Sequence, residues 1–195
     1  MLKVDCHLMM RSLEESIDTC GDIGFIHVDK KTCFFALIDI LGHGPEAHEV
    51  AVQAQEYLTH HHQESPADIL EDLHEYLRGT RGGVAAIGCI DLKTGTLSFA
   101  GVGNITTRIF AAEYNRVLSK DGIIGYMMNR PSEQIIKLCR RDVVMLYSDG
   151  IKEHFEQHDC PGLLTGTAEE IAQRVMDTFA KGDDDSSCLI VRLIK

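Results

Sequence analysis

Four acidic turns punctuate the chain where an apolar segment begins or ends. Asp39 closes the run Cys33–Ile38 and is followed by Ile40-Leu41-Gly42-His43-Gly44. Asp149-Gly150 closes Val143–Ser148, and Asp183-Asp184-Asp185-Ser186-Ser187 opens Cys188–Arg192. Gly21-Asp22-Ile23-Gly24 precedes a further apolar stretch. A carboxylate at such a junction is placed by a rigid element while its oxygens stay accessible, and three adjacent aspartates repel one another unless solvent or a cation relieves them. Any one of these alone is an ordinary turn. Together they make an oxygen-rich donor set, poor in imidazole and thiolate, which suits Mg²⁺ or Mn²⁺ better than Zn²⁺ or Cu²⁺. Two such ions, about 3.5–4 Å apart, lower the pKa of a shared water and clamp the oxygens of an in-line phosphoryl displacement.

Other chemistries fit less well. None of the seven cysteines, at positions 6, 20, 33, 89, 139, 160 and 188, has an arginine six positions on, as a cysteine nucleophile for phosphate esters requires. Their odd number and the lack of a CxxC pair read as reduced, mostly buried thiols. His60-His61-His62 are consecutive on a helix, so their side chains diverge and read as a solvated helix end. Gly21-x-x-Gly24 and Gly79–Gly83 lack the spacing of phosphate-binding loops. A net charge of −11 with no basic run longer than two residues excludes nucleic acid and anionic membranes as natural partners.

Nine apolar or alternating segments read as strands: Lys3–Met9, Gly24–Val28, Cys33–Asp39, Val84–Asp91, Thr96–Ala100, Thr107–Ala112, Glu133–Leu138, Val143–Ser148 and Cys188–Leu193. Apolar residues at three- and four-residue spacing predict helices over Pro45–Thr59, Pro66–Arg78 and Ala168–Phe179, with Ile151-Lys152-Glu153 starting another. Asp29–Lys31, Asp91–Gly95 and Glu113–Asn115 read as hairpin turns. Strands in runs with segregated helices point to an α+β layering of antiparallel sheets flanked by helices, here as one domain over residues 1–195. With no membrane-spanning run and no secretory signal in Met1–Arg11, a cytoplasmic protein is expected.

The ordered motifs GDIG, DILGHG, LYSDGI and DDxSxLIV, spanning Cys20 to Arg192, resemble the metal-dependent (PPM) protein serine/threonine phosphatases, specifically their bacterial SpoIIE-like branch. The short chain and its GVGNI segment at Gly101–Ile105 are similar to the RsbX-type members. This resemblance implies an α-β-β-α sandwich, dependence on two Mn²⁺ or Mg²⁺ ions, and phosphorylated STAS-domain stressosome proteins as partners. It also implies that Asp39 bridges the metals, that the Ile40 carbonyl ligates one of them, and that Asp149 and Asp184 complete the ligand set. Three aspartates in a row leave the register at 183–185 open, with Asp185 beside the ligand. Asp22 falls in the outer shell, holding a metal-bound water, and His43 is a candidate leaving-group acid. Three residues separate His43 from Asp39, where many relatives have one. Arg11 precedes the first motif without matching the family's phosphate-gripping arginine, and Met127-Met128 fall where many relatives carry a flap. The alternatives are a catalytically degenerate binding module that keeps the fold, a phosphatase acting on other phosphoproteins, or a metal-dependent hydrolase of small phosphate esters.

Overall fold

The computed structural model describes residues 1–14, 16–111 and 117–194. Its elements run β1 (Val4–Arg11), a 3-10 turn (Ile17–Thr19), β2 (Asp22–Val28), β3 (Thr32–Ile40), α1 (Pro45–His61) and α2 (Pro66–Tyr76), followed by β4 (Gly83–Asp91), β5 (Thr96–Val102) and β6 (Thr106–Phe110). The remainder is β7 (Gly122–Ile123), β8 (Met127–Met128), β9 (Gln134–Lys137), β10 (Val143–Tyr147), α3 (Ala168–Phe179) and β11 (Ser186–Leu193). β1-β11-β10-β6 form one antiparallel sheet, β2-β3-β4-β5-β9 a second, and β7-β8 a two-stranded pair apart from them.

Strand alternation builds three layers of core. In β3, Cys33, Phe35 and Leu37 point to the inter-sheet core, while Phe34, Ala36, Ile38 and Ile40 meet α1 and α2. In β10, Val144 and Leu146 point between the sheets, and Val143, Met145 and Tyr147 pack against α3. Strands with both faces buried read as the continuous apolar runs seen in the sequence. The result is the expected α-β-β-α sandwich.

Local chemistry sets the helix bounds. α3 begins in a capping box, Thr167 accepting from the Glu170 N–H and Glu170 reaching back to the Thr167 N–H. Ser65 caps α2, which ends at Tyr76, before the expected Arg78, because the chain turns at Gly79 with φ +83. α1 runs two residues past Thr59 to His61.

Ile151–Glu153 do not start a helix. Ile151 is fully buried and bridges Ala180, while Lys152 donates to the Phe179 carbonyl, so the backbone is committed to pairing with the end of α3. The turns at Asp29–Lys31 and Asp91–Gly95 form as read, each with an aspartate accepting from following backbone amides. The Glu113–Asn115 turn lies outside the described residues.

Candidate metal centre

The ends of β2, β3 and β10 and the start of β11 meet at one edge between the sheets. Asp22 pairs with Asp39 across the β2–β3 ladder. Asp39 follows Leu37 by two residues and shares its inter-sheet face. Ser148, two after Leu146, shares that face from the opposing sheet. Its hydroxyl donates to Asp22 Oδ2 at 2.6 Å and accepts from the Ser187 N–H at 3.0 Å, with Ser187 Oγ 3.1 Å away. A buried Ser187–Ser148–Asp22 chain therefore joins the two sheets beneath the site.

The aspartate triplet divides its work. Asp185 is buried, its Oδ1 accepting from Leu13 N–H at 2.7 Å and its Oδ2 from Gly21 N–H at 2.6 Å. Asp184 is exposed, and its only described hydrogen bond on the side chain comes from the Asp185 N–H. Asp183 is also exposed. Asp149 is exposed too, with Asn104 Nδ2 donating to its Oδ2 at 3.1 Å. Gly21 lies against the DILGHG turn, where a Cβ would stand 2.7 Å from the Gly42 carbonyl and 3.2 Å from that of Ile40.

The electrostatics record the crowding. Burial, then the charges of Asp22, Asp149, Asp184 and Asp185, push Asp39 up from 3.8 to about 9. Burial raises Asp22 to about 7 against the opposing hydrogen bonds from Ser148 and Ser187, with Asp185 and Asp149 adding to the rise. Asp184 is raised by its partial burial and by Asp149 and Asp185, and His43 opposes this. The carboxylates crowd without closing: among the described residues, no three His, Cys, Asp or Glu side chains already encircle a point as metal ligands. Cys20, buried beside them, is pushed to about 12 and stays a thiol at neutral pH.

Sequence reasoning missed Ser148, Asn104 and Glu14, whose Oε1 lies 3.3 Å from His43 Nδ1. Arg11 and Asp184 line one groove of about 490 Å³, but Arg11 is paired with Asp177 at 3.5 Å. The three histidines diverge: His61 stacks on Tyr57, while His62 is only half-exposed, packing against His27 and Phe25. All seven cysteines are free, three of them buried.

The same architecture recurs in solved phosphatases. RsbX in complex with magnesium superposes with a TM-score of 0.83 at 19% identity, over 99% of this chain and 100% of that one. The catalytic domain of the serine/threonine phosphatase PstP, in complex with 2 manganese ions, gives 0.75 at 12%, over 100% of both. The fold is thus that of the metal-dependent serine/threonine phosphatases of the PPM (PP2C) class. Residues 29–194 match the family described as stage II sporulation protein E (SpoIIE), and the chain belongs to that family. A structure described as "The bacterial stressosome: a modular system that has been adapted to control secondary messenger signaling" is 30% identical, covers 97% of this chain and 100% of that one, and has a TM-score of 0.88. A search among curated proteins returns no match. No described helix is long and apolar enough to cross a membrane.

Proposed function

We propose that this phosphatase acts in the cytoplasm, as one domain over residues 1–195, on phosphoserine or phosphothreonine of STAS-domain stressosome proteins, and so resets a stress signal. The observation that carries the catalytic part is the state of Asp39. The strongest influences on its carboxyl group, burial first and then four neighbouring aspartates, all oppose its charge. A cluster of hard oxygen donors with that deficit of positive charge fits divalent cations.

In this reading Asp39, the Ile40 carbonyl, Asp149 and Asp184 would hold the Mn²⁺ or Mg²⁺ ions. Bound ions would supply a water that is nucleophilic near neutral pH and a clamp on the phosphoryl oxygens. Asp22, held by the Ser148 hydroxyl, would act from the outer shell. The engagement of Asp185 with the Leu13 and Gly21 N–H groups supports Asp184 as the ligand of the triplet. His43, 3.3 Å from Glu14 and close enough to Asp184 to oppose its rise, would protonate the leaving group. The likeness to the stressosome structure and to RsbX supports the choice of partner.

Hydrolysis of para-nitrophenyl phosphate with and without Mn²⁺ tests the chemistry. Metal-dependent release that falls at least ~100-fold in Asp39→Asn is expected; undiminished activity of that variant at saturating Mn²⁺ overturns the assignment. Phosphate release from phosphorylated STAS-domain proteins tests the partner. Activity on other phosphoproteins but not on these refutes that part alone, and inactivity on every substrate with retained partner binding makes the chain a docking module.

A further inference from the structure

Cationic side chains are scarce in this chain, 19 Lys and Arg against 30 Asp and Glu. Among the described arginines, six pair with carboxylates and Arg174 donates to the Leu163 and Thr165 carbonyls. The guanidinium groups of Arg140 and Arg141 are the exception. They are adjacent and exposed, in the turn between β9 and β10.

That turn is held firmly. Asp142 accepts from Cys139 N–H at 2.7 Å, Arg141 N–H donates to the Leu193 carbonyl at 2.7 Å, and Leu193 N–H donates back to Asp142 at 3.0 Å. Arg141 sits at φ 78, the one non-glycine among the described residues with positive φ. Glycine would meet that backbone requirement with less strain, so the arginine earns its place through its side chain. On either side of the pair lies an open groove. One, of about 400 Å³, offers Leu164 and Ile194 beside Arg192; the other, of about 460 Å³, offers Phe110, Ala111 and again Leu164 beside Gln157 and the buried Asp142.

We propose that Arg140 and Arg141, with the apolar grooves they separate, form a docking site for an acidic, leucine-bearing segment of a protein partner. Two guanidinium forks take carboxylates in bidentate fashion, and the groove walls take the apolar side chains between them. The charge on the rest of the molecule selects against the other polyanions. With a net charge of −11 and, among the described residues, only two uncommitted arginines, the described surface lacks the cationic track that nucleic acid or an anionic membrane requires. The site stands at the opposite end of β10 from Asp149, roughly 20 Å away at about 3.3 Å per residue. A partner held there leaves the carboxylate edge open, and the docking does not depend on what that edge catalyses.

The test uses the full chain and a fluorescein-labelled peptide of repeated Glu-Glu-Leu, read by fluorescence anisotropy at ~50 and ~300 mM salt. Binding that weakens with salt, and that R140A/R141G weakens at least ten-fold, is expected, while a Lys-Lys-Leu peptide does not bind. Glycine suits the backbone at 141, so the double variant should melt no lower than the parent, and the single variant R140A gives a second reading through a several-fold loss. No binding of the acidic peptide, or equal binding by parent and variants, overturns the proposal. Preference for a thymidine oligonucleotide over the peptide does the same. So does self-association in sedimentation that R140A/R141G abolishes, which would make the occupant a second copy of the chain.

Discussion

At the scale of single residues, the triplet 183–185 shows how neighbours of one chemical type are separated by their hydrogen bonds. Asp185 engages both carboxylate oxygens with backbone amides 172 and 164 residues away, whereas the Asp184 side chain is exposed. Asp185→Ala should therefore cost about 2–4 kcal/mol in urea unfolding, since two amides lose a charged acceptor. Asp184→Ala should leave unfolding nearly unchanged while abolishing metal-dependent hydrolysis; the reverse pattern would move the ligand to Asp185. Ser148 offers a similar separation of roles. Ser148→Ala removes the donor to buried Asp22 and the acceptor for Ser187 N–H, and about 1–3 kcal/mol of stability should go with them. If Ser148 also orients Asp22 toward a metal-held water, Mn²⁺ affinity measured by calorimetry drops about 10–100-fold. An unchanged affinity assigns Ser148 to folding alone.

At the scale of elements, the site depends on how tightly two strand ends are pressed together. Gly150 lies so close to the Asp185 carbonyl and Ser186 Oγ that an added Cβ could not fit without moving the start of β11. Gly150→Ala should thus cost several kcal/mol and lower hydrolysis together with the melting temperature, because it separates Asp149 from Asp184; a fully stable, fully active variant would show that this contact is soft. The same geometry explains what was legible in the sequence. All nine expected strands form because each turns apolar residues toward a core, wholly or in part, and so carries an apolar pattern of its own, whereas β7 and β8, two residues each, have no period to read. Ile151 looked like a helix start because a strand, an Asp-Gly turn and an apolar residue commonly lead to one, yet its pairing with Ala180 is a long-range contact. The acidic turns were visible because they sit where apolar runs stop. Ser148 was not, since its meaning lies in a partner 126 residues away on the facing sheet.

At the scale of the whole molecule, the sandwich forces like charges together at one edge, and its stability should register that burden through pH. Asp39 and Asp22 have folded-state values of about 9 and about 7, both above the 3.8 of an unperturbed carboxyl. Each is neutral in the folded chain over a range where the unfolded chain would ionise it. Their contribution is thus fully present below the unfolded value and is lost as pH rises through the folded values. The metal-free protein should melt at progressively lower temperature between about pH 5 and pH 9. Divalent ions bind the carboxylate form and compete with protons for it, so the gain in melting temperature on adding Mn²⁺ should grow over the same interval. A thermal-shift series with and without EDTA measures both slopes. A flat metal-free profile, with a Mn²⁺ gain independent of pH, would mean that Asp39 and Asp22 ionise in the folded chain as they do in the unfolded one, and the crowding of carboxylates at the edge between the sheets would not be what draws the cation there.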